Sequence, residues 1–347
     1  MNWLRREGTG RYLNDTGLTG VGLIAGATPP HFLEALLATW RGRELIFTAP
    51  TTITHSTIRI RTMEPADSVQ LDFAYLGDGE VTSGSLARWS SRVKPGGLVA
   101  GSGYAGAVKQ QVDASSSELG VAAGFTALDP GTPDWFFRTP FGTPPTTDRI
   151  TVVTAYDPGF ASVGDISRAN KEAYCRRHGY RFICRTDGFD TARPPSWSKL
   201  RFVRDALQDA DWVFWTDADS LVMNSAVPLH RFCWDCHDLV VSGDPYHAMN
   251  LGCWFARRTE WTSDFFDRLD AMTECLDHVW WETGAALACY AGDPAVRGRI
   301  GLLPNKLFNA YPYPGGGYEA GDFLIHFPGL DRVRREAAMR EFEGRAV

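Results

Sequence analysis

The sequence predicts an α/β protein built of two units, and three observations predict it. The run Trp212 to Trp215 is short and wholly apolar, as suits a strand buried on both faces, and it delivers Asp217 and Asp219 at its carboxyl end. An earlier glycine-rich stretch, Gly20 to Gly26, leads from a strand into a helix over His31 to Trp40. Between the halves, residues 129–133 and 139–145 are dense in proline and glycine and read as a linker, which gives units 1–145 and 146–347.

The composition agrees with a globular chain of two ordinary domains: 347 residues, 44% hydrophobic and 22% charged. A net charge of −6 argues against general nucleic-acid or anionic-membrane binding. No apolar run approaches membrane-spanning length, and Met1 to Glu7 holds no signal-peptide core, so a cytoplasmic protein is expected. The seven cysteines follow no framework spacing, and Cys233 and Cys236 form an isolated Cys-x-x-Cys pair. Buried thiols in a reducing compartment are expected.

In the first unit, the Gly20–Gly26 turn has the form that cradles a phosphate or nucleoside. Val69 to Leu76 reads as a strand, and Val93 to Tyr104 as a Lys-Pro-Gly-Gly turn followed by another apolar strand. These segments resemble class I S-adenosylmethionine-dependent methyltransferases. That resemblance implies acidic residues at two strands, where this chain has Leu23-Ile24-Ala25 and Thr48-Ala49-Pro50. The middle is also short, so at least one strand–helix pair is expected to be missing. The expectation is a degenerate, truncated Rossmann-like scaffold or acceptor-binding surface that binds no S-adenosylmethionine.

The second unit opens with a strand, Ile150 to Tyr156, then a helix with Ile166, Ala169 and Ala173 on one face, then a strand from Tyr180 to Cys184. This is the start of a nucleotide-binding α/β half. Leu200, Val203 and Leu207 fall on one face of a helix capped by Ser196. Asp217 and Asp219 then form a hard-cation site of the kind shared with substrate phosphates. Leu239 to Asp244 is a further strand. Asn250 and Gly252 precede the apolar run Cys253 to Ala256. Phe265, Leu269 and Met272 mark a core helix, Gly315 to Gly317 a loop, and Phe323 to His326 a last strand.

Trp197-Ser198-Lys199, Ala210 to Asp219, His178-Gly179-Tyr180, Asn250 to Arg257 and His326-Phe327-Pro328-Gly329 together resemble glycosyltransferase family 34, in that family's order, over residues 148 to 332. The resemblance implies a GT-A fold, a nucleotide-sugar donor (UDP-hexose or UDP-pentose favoured, GDP-mannose the alternative) and a glycan or small-molecule acceptor. It assigns Asp217, Asp219 and His326 as ligands to Mn²⁺ or Mg²⁺, with the imidazole favouring Mn²⁺. It places Thr154, Ala155 and Tyr156 at the base and ribose, and Asn250 and Gly252 near the donor sugar. Lys199, Gly329 and Arg332 fall at the diphosphate, Arg332 replacing the family's lysine. Thr283 stands where relatives carry a glutamine near the reacting carbon, next to Glu282, which keeps the family's acid and is the candidate catalytic carboxylate. The family retains anomeric configuration, by front-face attack or with Glu282 as nucleophile. Two other readings remain at this point: an S-adenosylmethionine-dependent methyltransferase, and an inactive sugar-binding module.

Overall fold

The computed structural model describes residues 18–77, 79–119, 121, 123–125, 134–139, 149–233, 237–244, 248–303, 305–313 and 317–347, with Gly10, Leu13 and Asn14. The amino-terminal heptapeptide, both linker segments apart from Thr139, Cys236 and most of the glycine loop at 315–317 lie outside the described residues. The chain divides into two compact units, residues 1–144 and 145–347.

The first unit is a seven-stranded sheet. In chain order its elements are β1 (Val21–Ala25), α1 (Pro30–Thr39), β2 (Glu44–Phe47), β3 (Arg59–Thr62), β4 (Leu71–Leu76), α2 (Ser83–Arg92), β5 (Val93–Gly101), α3 (Gly106–Glu118), β6 (Gly124–Phe125) and β7 (Trp135–Arg138). The strand order is β3-β2-β1-β4-β5-β7-β6. The first five strands run parallel in doubly-wound order, and β7 runs antiparallel to both β5 and β6. β1 and β4 are buried at every position, which is why they read as apolar runs, broken in β4 only by the buried Asp72. Thr82 caps α2 in a reciprocal capping box with Ser85. The shortening predicted for the middle falls on helices: β2, β3 and β4 follow one another with no helix between them.

The second unit carries the elements that build the cavity described below. They are β8 (Ile150–Ala155), α4 (Ala161–His178), β9 (Arg181–Arg185), α5 (Ser198–Leu207), β10 (Trp212–Thr216), β11 (Ser220–Val222), β12 (Leu239–Ser242), β13 (Asn250–Arg257), α6 (Glu260–Asp270), α7 (Trp281–Gly292), α8 (Pro294–Arg299), β14 (Ile300–Leu303), α9 (Asn305–Phe308), β15 (Leu324–His326) and α10 (Arg332–Glu343). A mixed six-stranded sheet has the order β14-β12-β13-β10-β8-β9, and β11 pairs with β15 in a separate two-stranded sheet. This is the GT-A type of α/β arrangement, with the aspartates leaving a central strand. β10 is buried along its whole length, between parallel β8 and antiparallel β13.

The buried face of α4 differs from the expected one. Ala169 and Ala173 are exposed, and the inner face runs through Val163, Ile166, Ser167, Lys171 and Tyr174. The larger side chains fix the rotation of the helix, and a lysine lies among them. Met272 falls just past the end of α6, whose core face is Phe265, Phe266 and Leu269. Among the described cysteines, Cys175, Cys253, Cys275 and Cys289 are buried free thiols. No helix among the described residues is long and apolar enough to cross a membrane.

Candidate active site

Asp217 leaves the end of β10 as its backbone N–H donates to the Gly252 carbonyl on β13, at 2.7 Å. The turn after it is held from below. Lys171 of α4 donates to the Asp217 carbonyl (2.6 Å), to the Thr216 carbonyl and to Thr154 Oγ1, both at 3.3 Å. Ser220 Oγ donates to the same Asp217 carbonyl at 2.7 Å. Asp219 stands at the start of β11. There the β11–β15 register sets Ser220 opposite His326, so a histidine 107 residues downstream arrives beside the aspartate.

The His326 Nε2 lies 3.2 Å from Asp219 Oδ1, and ligand atoms of Asp217, Asp219 and His326 lie within 4.8 Å of one another. On its other side, His326 Nδ1 is 2.7 Å from Asn309 Oδ1. Asn309 Nδ2 donates to Asn250 Oδ1 at 3.3 Å, and that oxygen also accepts the Gly252 backbone N–H at 2.7 Å. Gly252 is required here: a Cβ would collide with the His326 ring. Two carboxylates and an imidazole oriented from behind fit a divalent cation.

These groups line a cavity of about 520 Å³, with Lys199, Asp244, Asn250, Gly252, Glu282 and Arg335 among its walls. Gly329, with φ +74°, forms part of the rim in the turn before α10. The structure thus brings together eight of the predicted positions: Lys199, Asp217, Asp219, Asn250, Gly252, Glu282, His326 and Gly329.

Four predicted contacts lie elsewhere. Thr154 is fully buried beneath Lys171. The Tyr156 ring folds back against Gly164, and its hydroxyl donates to Asp165 at 2.6 Å, so it packs on α4. Ala155, between them, does not line the cavity either. Arg332, at the exposed first position of α10, directs Nη1 to the Gly159 carbonyl at 3.4 Å. The basic residue that α10 turns into the cavity is Arg335, three positions later. Its Nε lies 3.0 Å from Asp219 Oδ2 and donates to the Phe327 carbonyl at 3.1 Å.

Two lysines are buried here, and their surroundings drive them in opposite directions. For Lys171, burial dominates and its partners are carbonyls and a hydroxyl, so its ammonium is pulled down from 10.5 to about 8. Burial also opposes the charge on Lys199, but Asp217 (3.1 Å) and Glu282 Oε1 (2.8 Å) outweigh it and hold it above the ordinary lysine range. Its third contact is the Leu251 carbonyl at 3.1 Å, so protein groups take up all three donors. Burial pushes the Asp219 carboxyl up, but His326 and Arg335 draw it further down, so it titrates below its usual value.

Arg335, Lys171 and Asn309 escaped the sequence reading. A lysine at an inward position of an amphipathic helix is a usable signal for Lys171. Asn309 had none, since what sets it beside His326 is a backbone contact of its neighbour, the His326 N–H donating to the Ala310 carbonyl at 2.7 Å.

The sequence matches the model of the galactosyl transferase GMA12/MNN10 family over residues 147–240 and 234–336, more than half of the chain. The chain belongs to that family, which is glycosyltransferase family 34. It is 24% identical over 222 residues to an uncharacterized alpha-1,2-galactosyltransferase of Schizosaccharomyces pombe, covering 49% of this chain and 64% of the relative. It is 25% identical over 193 residues to a probable alpha-1,6-mannosyltransferase of Saccharomyces cerevisiae, covering 44% and 49%. The aligned part is thus about half to two thirds of these relatives. Among solved structures, a glycosyltransferase involved in glycosylation of the major capsid of PBCV-1 is similar at 16% identity, covering 55% of this chain and 98% of that one, with a TM-score of 0.48.

Proposed function

We propose that this chain moves a sugar from a nucleotide-sugar donor, with UDP-hexose or UDP-pentose favoured over GDP-mannose, to a hydroxyl acceptor with retention of anomeric configuration. The observation that carries this reading is the convergence of Asp217, Asp219 and His326 in one cavity with Asn250, Glu282 and Arg335. Asp217, Asp219 and His326 would hold Mn²⁺, and a bound divalent ion supplies Lewis-acid stabilisation of charge on the departing diphosphate.

The chain's own groups then divide the remaining work. The Arg335 guanidinium, already beside Asp219, is placed to bind phosphate oxygens in a planar fork. Both contacts to the Asn250 amide oxygen come from protein donors, which leaves its NH₂ to donate to a sugar hydroxyl. Lys199 fixes Asp217 and Glu282 relative to each other. Glu282, on the cavity wall, keeps one oxygen, Oε2, without a hydrogen-bond partner.

For the amino-terminal unit, our reading is a methyltransferase-like scaffold that holds no S-adenosylmethionine. The strand ends at Leu23–Ala25 and Thr48–Pro50 lack carboxylates, and the Glu80 side chain packs where a Cβ on Gly26 would project.

A thermal-shift screen of UDP-, GDP- and TDP-sugars with and without Mn²⁺ tests the proposal, because a ligand of the native state raises the melting temperature. The expected result is a Mn²⁺-dependent rise with a UDP-sugar that Asp219→Ala abolishes. No rise with any donor would overturn it.

A further inference from the structure

The tryptophans that build the core of the second unit, Trp197, Trp212, Trp215 and Trp254, are buried. Trp280 and Trp281 are not: they are 39% and 46% exposed, and the preceding Val279 is 76% exposed. All three line the cavity that holds the carboxylates. An open patch of large apolar side chains at a polar cavity marks a binding surface.

The patch is held in place. Trp281 has φ +43°, a backbone conformation that bulky L residues avoid. Its N–H donates to the His278 carbonyl at 2.8 Å, and the Trp280 N–H donates to His278 Nδ1 at 3.1 Å. The His278 ring in turn packs on Gly284, where any Cβ would collide with it. Such unfavoured geometry is kept where the surroundings over-determine it, commonly at ligand sites.

Next in sequence is Glu282, only 3% exposed, whose Oε2 is buried without a hydrogen-bond partner on the same cavity wall. A rigid aromatic face beside an unpaired acceptor matches one ligand chemistry closely. A pyranose ring has an apolar face of C–H groups and a rim of hydroxyl donors. Lys199, the cation beside Glu282, is taken up by Asp217, Glu282 and the Leu251 carbonyl, which favours an uncharged ligand at this wall.

We propose that Trp280 and Trp281 form the acceptor shelf, and that the acceptor is a neutral saccharide whose ring stacks there while a hydroxyl donates to Glu282 Oε2. This deepens, and rests on, the donor-site reading above. In the transfer, the acceptor oxygen bonds to the anomeric carbon and the carbon–diphosphate bond breaks with its electron pair on the phosphate oxygen. The acceptor proton passes to that oxygen.

The test uses the full chain loaded with UDP and Mn²⁺, titrated calorimetrically with cellotetraose, α-1,2-mannobiose and α-1,6-mannobiose. At least one saccharide is expected to bind. Trp281→Ala and Trp280→Ala should each weaken it at least tenfold, with Trp281→Phe within about threefold of wild type. UDP affinity in the same variants, changed less than twofold, shows that they are folded. Saccharide affinity unchanged in both alanine variants, or no saccharide binding by the wild type, overturns the shelf. Failure of the wild type to bind UDP overturns the donor reading instead.

Discussion

Asn309 Oδ1 lies 2.7 Å from His326 Nδ1, and this contact decides which imidazole nitrogen faces the aspartates. The Gly252 N–H points at Asn250 Oδ1, so that atom is an acceptor; Asn309 must therefore offer its NH₂ to Asn250 and its oxygen to His326. Nδ1 then carries a hydrogen toward Asn309, which leaves Nε2, on the Asp219 side, as the ring nitrogen that would ligate a cation. Asn309→Leu should lower Mn²⁺ affinity roughly 10- to 100-fold, the usual consequence of losing an outer-shell partner. Metal titration followed by electron paramagnetic resonance checks this, and unchanged affinity would refute the assignment.

Gly252→Ala tests the same ring from its other side. The added methyl would collide with the imidazole, so His326 must move away from Asp219. A loss of Mn²⁺ affinity of about 10-fold or more is expected, by the same dependence on ligand orientation. Retention of wild-type affinity would show that the ring yields without cost.

Arg335 and Arg332 separate cleanly. Arg335→Ala should weaken UDP binding in Mn²⁺ by roughly 1.5–3 kcal/mol, the range for a charged hydrogen bond. Arg332→Ala, whose side chain reaches only the Gly159 carbonyl, should leave UDP affinity unchanged. The reverse pattern in calorimetry would restore Arg332 as the phosphate group.

The buried lysines give a pH test. Lys171 has a folded value of about 8 against an ordinary 10.5, so the unfolded chain binds more protons between those values and stability rises with pH across that window. Lys199, held above the ordinary range, contributes stability that is complete below the unfolded value and lost only at higher pH. Urea unfolding at pH 7.5 and 9.5, in chelator, should show wild type gaining on the order of 1–2 kcal/mol relative to Lys171→Met. Parallel pH profiles for the two proteins would contradict this. Lys199→Met should destabilise at both pH values by about 3–5 kcal/mol, since it leaves the buried Glu282 and the half-buried Asp217 without their cation.

Calorimetric titration of S-adenosylmethionine should show no binding. A micromolar dissociation constant would overturn the scaffold reading of the first unit.

The sequence announced the centre of this site because the decisive residues are neighbours there. Trp212 to Trp215 are buried for the reason their composition suggests, and Asp217 and Asp219 follow directly. His326 was legible only through family resemblance, because its arrival depends on a strand register that spacing does not encode. The face of α4 misled because alanine is indifferent to burial, whereas the inward Lys171 was the informative residue. Tyr156 looked like a ligand contact at a strand end, but the missing side chain at Gly164 lets its ring fold back onto the helix. Arg332 and Arg335 share one basic segment, and only the rotation of α10 distinguishes them.

The pairing of β11 with β15 also sets when the chain first becomes competent. During synthesis both aspartates emerge about a hundred residues ahead of the histidine that completes their set. A nascent or prematurely ended polypeptide therefore displays the acidic turn but lacks the strand that closes it. The Asp217, Asp219 and His326 set is complete only once the carboxyl-terminal segment that carries β15 has been made.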